Sequence, residues 1–208
     1  MTDTFRDLLR GFMLETLETT GVSEDDLVND YFAVCDVNGD GQDELITQRN
    51  NGPTTVQEET VYDQDGNNLL SAYAGLVTYY NNGYVTAGWS HNQGKAGDKL
   101  WPYTLYRFNA ETGIYEYSAN VDGWDKALGD TYQFFNPDNS GMLTFPDDID
   151  KDGDGFIYYI ISEKDGYAPA YGTPVDYADW AAWAAYLEGD AVTPVYVRLT
   201  EENIALIG

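Results

Sequence analysis

The 208-residue chain carries 36 acidic against 10 basic side chains, a formal charge of −26, which repels nucleic acid and anionic lipid and excludes both as charge-bound partners. A single cysteine, Cys35, rules out an intramolecular disulfide framework. Adding the one histidine, His91, still leaves too few nitrogen and sulfur ligands for a zinc site. A chain of this length buries about 70% of its unfolded surface, and one domain over residues 1–208 is expected.

From the N-terminus, Phe5, Leu8, Leu9, Phe12, Met13 and Leu17 recur at three- and four-residue intervals and predict an amphipathic helix over 4–20. Thr4 with Asp7 forms a capping pair, and Gly21 stops the helix. Ser23 to Asn29 add a short helical turn. Residues 31–161 then form a β-rich core of Tyr, Val, Thr and Phe segments, broken by turn clusters at Asp65-Gly66, Asn81-Asn82-Gly83, Glu111-Thr112-Gly113 and Asn136-Pro137. That spacing predicts an antiparallel meander. Cys35 lies inside the first strand, where it reads as a small buried hydrophobe.

The region 173–208 reads as helical. Thr173-Pro174 open a helix with Tyr177, Trp180, Ala181, Ala184 and Leu187 along one side, and Gly189 closes it. Trp180 and Trp183 anchor this helix to the core. Pro194 to Arg198 form a last strand, and Thr200 caps a short helix through Ile207. The fold class is therefore α+β: a central antiparallel β-sheet with an N-terminal helix and C-terminal helices.

Within the core, residues 36–44 read Asp-Val-Asn-Gly-Asp-Gly-Gln-Asp-Glu. Hard divalent cations take carboxylate, amide and carbonyl oxygens, and Ca2+ takes about six to eight of them. Asp36, Asn38 and Asp40 fill the first, third and fifth places of such a loop, Gly41 the turn, the Gln42 carbonyl the seventh place and Glu44 the ninth. An EF-hand or dockerin loop carries an acid at the twelfth place and runs into a helix. Here the twelfth residue is Thr47, and both flanks, Tyr31 to Asp36 and Glu44 to Gln48, prefer extended structure. This strand, loop and strand resembles the calcium hairpin of FG-GAP and VCBS propeller repeats, whose ninth place carries an acid. Propeller blades recur every 40 to 50 residues or so, a period this chain does not show.

A second acidic stretch runs from Asp147 to Gly155, before the strand-like Phe156 to Ile161. Aligned on its glycines, Asp150, Asp152 and Asp154 take the first, third and fifth places and Tyr158 the ninth. Shifted back by two, Asp148, Asp150 and Asp152 take them and Phe156 the ninth. Neither register supplies the later carboxylate, so this site is weaker or borrows an acid from elsewhere. A third cluster, Asp63 to Asn67, has only a hairpin's worth of residues and reads as a turn.

Other chemistry is sparse. His91 lies in the polar, glycine-rich stretch Trp89 to Gly97, where no orienting carboxylate or oxyanion hole is legible. The aromatics of Gly88 to Tyr103 are expected to fold back on the sheet. Eighteen tyrosines and five tryptophans suit sheet packing, and also suit sugar stacking in a carbohydrate-binding module. A hydrolase using His91 or a carboxylate pair is a further alternative. Three patches, Phe32 to Leu45, Gly88 to Asn92 with Trp101 to Tyr106, and Leu199 to Ile204, resemble uncharacterised surface lipoproteins and secreted proteins of anaerobic, gut-type bacteria. The resemblance implies an extracytoplasmic calcium-binding domain and carries over no catalytic residue. The expectation is a non-enzymatic, monomeric, calcium-binding domain for recognition or scaffolding, its partner a glycan or another surface protein. Met1 to Asp7 carry no signal-peptide pattern and no stretch reaches membrane-spanning length. The calcium loop, most useful where Ca2+ is millimolar, nevertheless points to a secreted or cell-surface lipoprotein whose leader is removed.

Overall fold

The computed structural model describes residues 2–20, 29–50, 57–90, 96–128, 131–135, 142–144, 148–162, 173–187 and 189–208. Helix α1 spans Thr2–Thr20. Its apolar stripe is one-sided: Phe5 and Leu9 are buried, with Leu8, Phe12 and Met13 packed beside them, as the three- and four-residue spacing requires. The expected turn at Ser23 to Asn29 lies almost wholly outside the described residues.

The core is an antiparallel sheet. β1 (Tyr31–Cys35), β2 (Glu44–Asn50), β3 (Gln57–Tyr62), β4 (Asn68–Tyr80), β5 (Tyr84–Trp89), β6 (Tyr103–Asn109) and β7 (Ile114–Asp125) follow one another as neighbours, a seven-strand meander. β10 (Phe156–Ser162) and β11 (Thr173–Val175) extend it beyond β7, while β13 (Val197–Arg198) pairs with β1 and β12 (Ala191–Val192) with β4. β8 (Thr131–Phe135) and β9 (Met142–Thr144) form a separate pair. Helix α2 (Tyr177–Leu187) precedes β12, and α3 (Glu201–Ala205) ends the chain. The α+β expectation holds in a sheet-dominated form.

β4 pairs with β3 through its first half and with β5 through its second, the register breaking between Ala74 and Leu76. Such a bulge bends and twists a strand, and here the sheet folds over on itself. Ala33, Ile46 and Val61 from β1 to β3 share one core with Tyr79, Val85 and Tyr115 from β4, β5 and β7. The Tyr115 hydroxyl crosses this core to donate to the Val37 carbonyl at 3.1 Å.

Helices cover two parts of the outer face. α1 and α3 pack Phe5, Leu9, Ile204 and Ile207 on Phe32 and Leu45 of β1 and β2, and Arg10 Nε reaches Glu201 at 2.9 Å. α2 brings Trp180, Trp183 and Leu187 onto Leu105, Val121 and Tyr158 of β6, β7 and β10, with Trp180 stacked on Tyr158 at 5.0 Å. The two tryptophans anchor the helix as their spacing predicts. Thr200 Oγ1 accepts from Asn203 N at 3.2 Å and caps α3 as expected.

Two helix starts differ from the sequence reading. α1 begins at Thr2, so Thr4 lies inside the helix and does not cap it. Thr173 and Pro174 do not open α2; they form edge strand β11 against β10. A residue before proline avoids helical dihedrals, and proline is tolerated on a sheet edge. Asp176 takes the capping place instead, its carbonyl accepting from Trp180 N at 3.0 Å.

Candidate metal centre

The first loop joins β1 to β2. Asp36 turns its carboxylate inward, Oδ1 accepting from Gly39 N at 2.8 Å and Oδ2 from Gly41 N at 2.9 Å. Asn38 Oδ1 accepts from Asp40 N, and Asp40 Oδ1 from Gln42 N, each at 2.8 Å. Glu44 reaches back across the loop: Oε2 accepts from Val37 N at 2.9 Å and Oε1 from Asn38 Nδ2 at 3.1 Å. Asn38 Nδ2 also lies 3.3 Å from Asp40 Oδ2, so one amide links two carboxylates. Glu44 is only 2% exposed. Burial first, then the charges of Asp40 and Asp36, push its carboxyl up to about 7 against the pull of the Val37 and Asn38 N–H groups.

Gly39 and Gly41 hold φ of 79° and 87°, a region that costs other residues about 1–2 kcal/mol. They differ in surroundings. A Cβ on Gly39 would lie 2.6 Å from the Asn81 carbonyl oxygen, whereas one on Gly41 meets open space. Gly39→Ala is therefore expected to cost about 2–3 kcal/mol and Gly41→Ala about 1 kcal/mol. Urea unfolding of the two variants checks this, and equal midpoints would remove the packing argument.

The second loop repeats the first. Gly155 N donates to Asp150 Oδ1 at 3.4 Å, Asp154 N to Asp152 Oδ1 at 3.0 Å, and Phe156 N to Asp154 Oδ1 at 2.8 Å. These bonds match Gly41 to Asp36, Asp40 to Asn38 and Gln42 to Asp40, and Gly153 and Gly155 take φ of 73° and 85°. The glycine-aligned register is therefore the one adopted. Asp148 stands exposed outside it, because the left-handed places fall on Gly153 and Gly155. One oxygen from each of Asp150, Asp152 and Asp154 lies within 4.8 Å of the others, the only such acidic group among the described residues. Asp36, Asp40 and Glu44 do not meet that spacing; in the first loop Asn38 occupies the third place.

The match extends to a residue that the sequence reading did not connect. In the first loop the N–H at the second place, Val37, donates to Glu44. In the second the corresponding N–H, Lys151, is shared between the Ile149 carbonyl at 2.8 Å and Asp176 Oδ2 at 3.1 Å. Asp176 is 3% exposed and enters from the start of α2, far along the chain from Asp150. Tyr158, ninth in sequence, is a core residue. The meeting of Asp176 with this loop depends on β11 folding back along β10. Lysines also approach this loop, Lys126 Nζ at 3.2 Å from Asp150 and Lys99 Nζ at 3.8 Å from Asp154.

The Asp63 cluster is the turn its length predicts. Asp63 Oδ1 accepts from Asp65 N at 2.9 Å and Asn67 N at 2.8 Å. It faces the first loop across a cleft of about 240 Å³ lined by Asn38, Asp40, Gln42, Glu44 and Phe108. His91 lies outside the described residues. Cys35 is half-buried, and burial followed by the charges of Asp43, Asp36 and Glu44 pushes its thiol up, away from the reactive thiolate.

Glu59, not singled out from the sequence, is a buried carboxylate elsewhere on the inner face. It accepts from Tyr79 Oη at 2.6 Å, Gln48 Nε2 at 2.8 Å and Tyr196 Oη at 3.1 Å. Parity with Val61 was the available signal, since alternate residues of a strand share a face. Comparison with protein-family models, curated proteins and solved structures finds no match to this chain. No helix among the described residues is long and apolar enough to cross a membrane.

Proposed function

We propose that this chain is a calcium-stabilised, non-enzymatic domain for recognition or scaffolding outside the cytosol, as its resemblance to surface and secreted proteins implies. The observation that carries the calcium reading is the repetition: two loops far apart in sequence share one hydrogen-bond pattern, each closed by a buried carboxylate on the N–H of its second residue. A polar turn needs no such carboxylate, whereas a hard cation needs several oxygens around one point. In the first loop Asp36, Asp40 and Glu44 supply carboxylates and Gln42 a backbone carbonyl. The Asn38 amide oxygen, which accepts from Asp40 N, stands at the third place. In the second, Asp150, Asp152, Asp154 and Asp176 form the set. Lys126 and Lys99 compete with a cation there, so the first loop binds more tightly.

Isothermal titration of the chelator-treated protein with CaCl2 tests this. Two ions per chain are expected, falling to one in Asp40→Ala or Asp152→Asn, while Asp176→Asn weakens the looser site about tenfold and spares the tighter one. A native chain that takes up no Ca2+ in the millimolar range would sink the reading.

A further inference from the structure

Among the described residues the helices leave a gap on the outer face of the sheet. α1 and α3 cover β1 and β2 there, and α2 covers β6, β7 and β10. Over β4 and β5 between them, three large side chains stay in solvent: Tyr73 at 63%, Leu76 at 71% and Trp101 at 46% exposure. Their shared face follows from the bulge. Ala74 opposes Trp89 and Leu76 opposes Gly88, so the register break sets Leu76 on the face opposite Ala74. Tyr73 precedes Ala74 and points the same way as Leu76. Trp101 joins them by lying on Gly88, where an added Cβ would sit 3.3 Å from its Cδ1. A side chain there would push the indole outward by a few tenths of an ångström.

The indole is also fixed. Its Nε1 donates to the Trp89 carbonyl at 2.7 Å, and Trp89 is held in turn by its own Nε1 on Thr104 Oγ1 at 3.1 Å. Trp101 therefore presents a π face whose polar edge is already engaged. At the far end of the patch Tyr73 stands opposite Glu58 of β3 in register, and the Glu58 charge pushes its hydroxyl pKa up, so a hydroxyl and a carboxylate lie beside the apolar surface.

We infer that Trp101, Leu76 and Tyr73 form a platform that binds a neutral pyranose polysaccharide, the sugar C–H face lying on the indole and its hydroxyls meeting Tyr73 and Glu58. The size of the patch argues for this occupant. Three side chains of at most about 150–250 Å² each, all part-covered, fall well short of the roughly 800 Å² per partner of a stable protein interface. They match a few sugar rings. Charge argues the same way, because Glu58 and a chain at −26 repel acidic polymers. The weakly positive C–H edge of a pyranose complements the negative face of an aromatic ring. The inference rests on the reading of the chain as a recognition domain and names its ligand class; neither calcium loop takes part.

Affinity electrophoresis of the full chain through gels containing a β-glucan, xylan, galactomannan or α-glucan, with polygalacturonate as the acidic control, tests it. At least one neutral polymer is expected to retard the protein and the acidic one not. Trp101→Ala should weaken retardation at least about tenfold and Tyr73→Ala about threefold. If Trp101→Ala lowers the melting midpoint, the decision passes to Tyr73→Ala and Leu76→Asp, whose exposed side chains support little of the fold. The inference is overturned by migration indifferent to every neutral polymer, by retardation only in polygalacturonate, or by folded platform variants that migrate as the native chain does. Running the gels in Ca2+ beside a melt in Ca2+ and EGTA separates the two readings. A calcium-dependent midpoint with no retardation removes the platform alone, and retardation with no calcium response removes the metal alone.

Discussion

In excess EGTA at pH 8, Glu44→Gln is expected to melt about 3–6 °C above the native chain, and in millimolar Ca2+ the order should reverse. The reason is the position of Glu44, buried between two aspartates with its pKa pushed up to about 7 from near 4.5. Between those values the folded chain holds a proton that the unfolded chain has released, so stability in EGTA falls as pH rises from about 4.5 to 7 and stays low above. A shift of that size corresponds to at most about 3 kcal/mol. A glutamine carries no charge to desolvate. It keeps the bond from Val37 N but sets its own NH2 against Asn38 Nδ2, losing about 1 kcal/mol, and a net gain of about 1–2 kcal/mol remains. That is several degrees for a chain of this length.

Calcium inverts the sign because it needs the ionised carboxylate. A ligand at 100 times its dissociation constant adds about 2.7 kcal/mol, and the native midpoint should rise by about 5–10 °C while Glu44→Gln gains at most the smaller contribution of the second loop. Differential scanning fluorimetry in both buffers, from pH 5 to 8, reads all of this. A native midpoint that is independent of calcium, with a Glu44→Gln variant less stable than native in EGTA, would reduce the loop to a polar hairpin in which Glu44 serves only as a cap.

The sequence and the structure agree where local rules decide the outcome. The stripe from Phe5 to Met13 needs only helical periodicity, the hairpin around 36–44 needs only its flanking Val, Phe and Ile residues, and the turns at Gly66, Gly83 and Gly113 need only a residue tolerant of positive φ. Thr173-Pro174 misled because a proline favours the first turn of a helix and the edge of a sheet alike, and only the presence of β10 alongside decides. The turn geometry of the first loop was legible because its polar residues lie within nine consecutive positions. The contact of Asp176 with the second loop was not, since Asp176 arrives through a strand pairing that no local pattern encodes. The platform on β4 was illegible for a similar reason: the bulge after Ala74 reverses the alternation, so Tyr73 and Leu76 share a face that simple period-two reading assigns to opposite sides.

Glu59→Leu should be among the most damaging single changes in the inner core, at about 3–5 kcal/mol, and should leave the calcium response untouched. Glu59 is buried with no cation against it among the described residues; three neutral donors from Gln48, Tyr79 and Tyr196 satisfy it instead. Burial pushes its carboxyl up and those donors pull it back. Burial and the Glu59 charge also keep the Tyr79 hydroxyl protonated as a donor. Hydrogen bonds to a charged group contribute about 1.5–3 kcal/mol each, and a buried donor left unpaired costs about 1–3 kcal/mol. Tyr79→Phe, which removes the 2.6 Å bond, is thus expected to cost about 2–3 kcal/mol, and Tyr196→Phe, at 3.1 Å and only half-buried, about 1 kcal/mol. Leucine at position 59 strands both hydroxyls and the Gln48 amide together. Glu59→Gln can still accept from both tyrosines if Gln48 turns its amide, so it should stay within about 1 kcal/mol of native. The group joins β2, β3 and β4 to Tyr196, the residue that leads into β13, so its loss should also loosen the C-terminal segment, seen as faster amide exchange at Val197 and Arg198. Urea unfolding of the four variants at pH 8 decides the matter. Midpoints ordered Gln, Tyr196→Phe, Tyr79→Phe and Leu would establish the carboxylate as the tie between the two halves of the folded sheet, whereas a leucine variant as stable as native would show that packing alone holds them together.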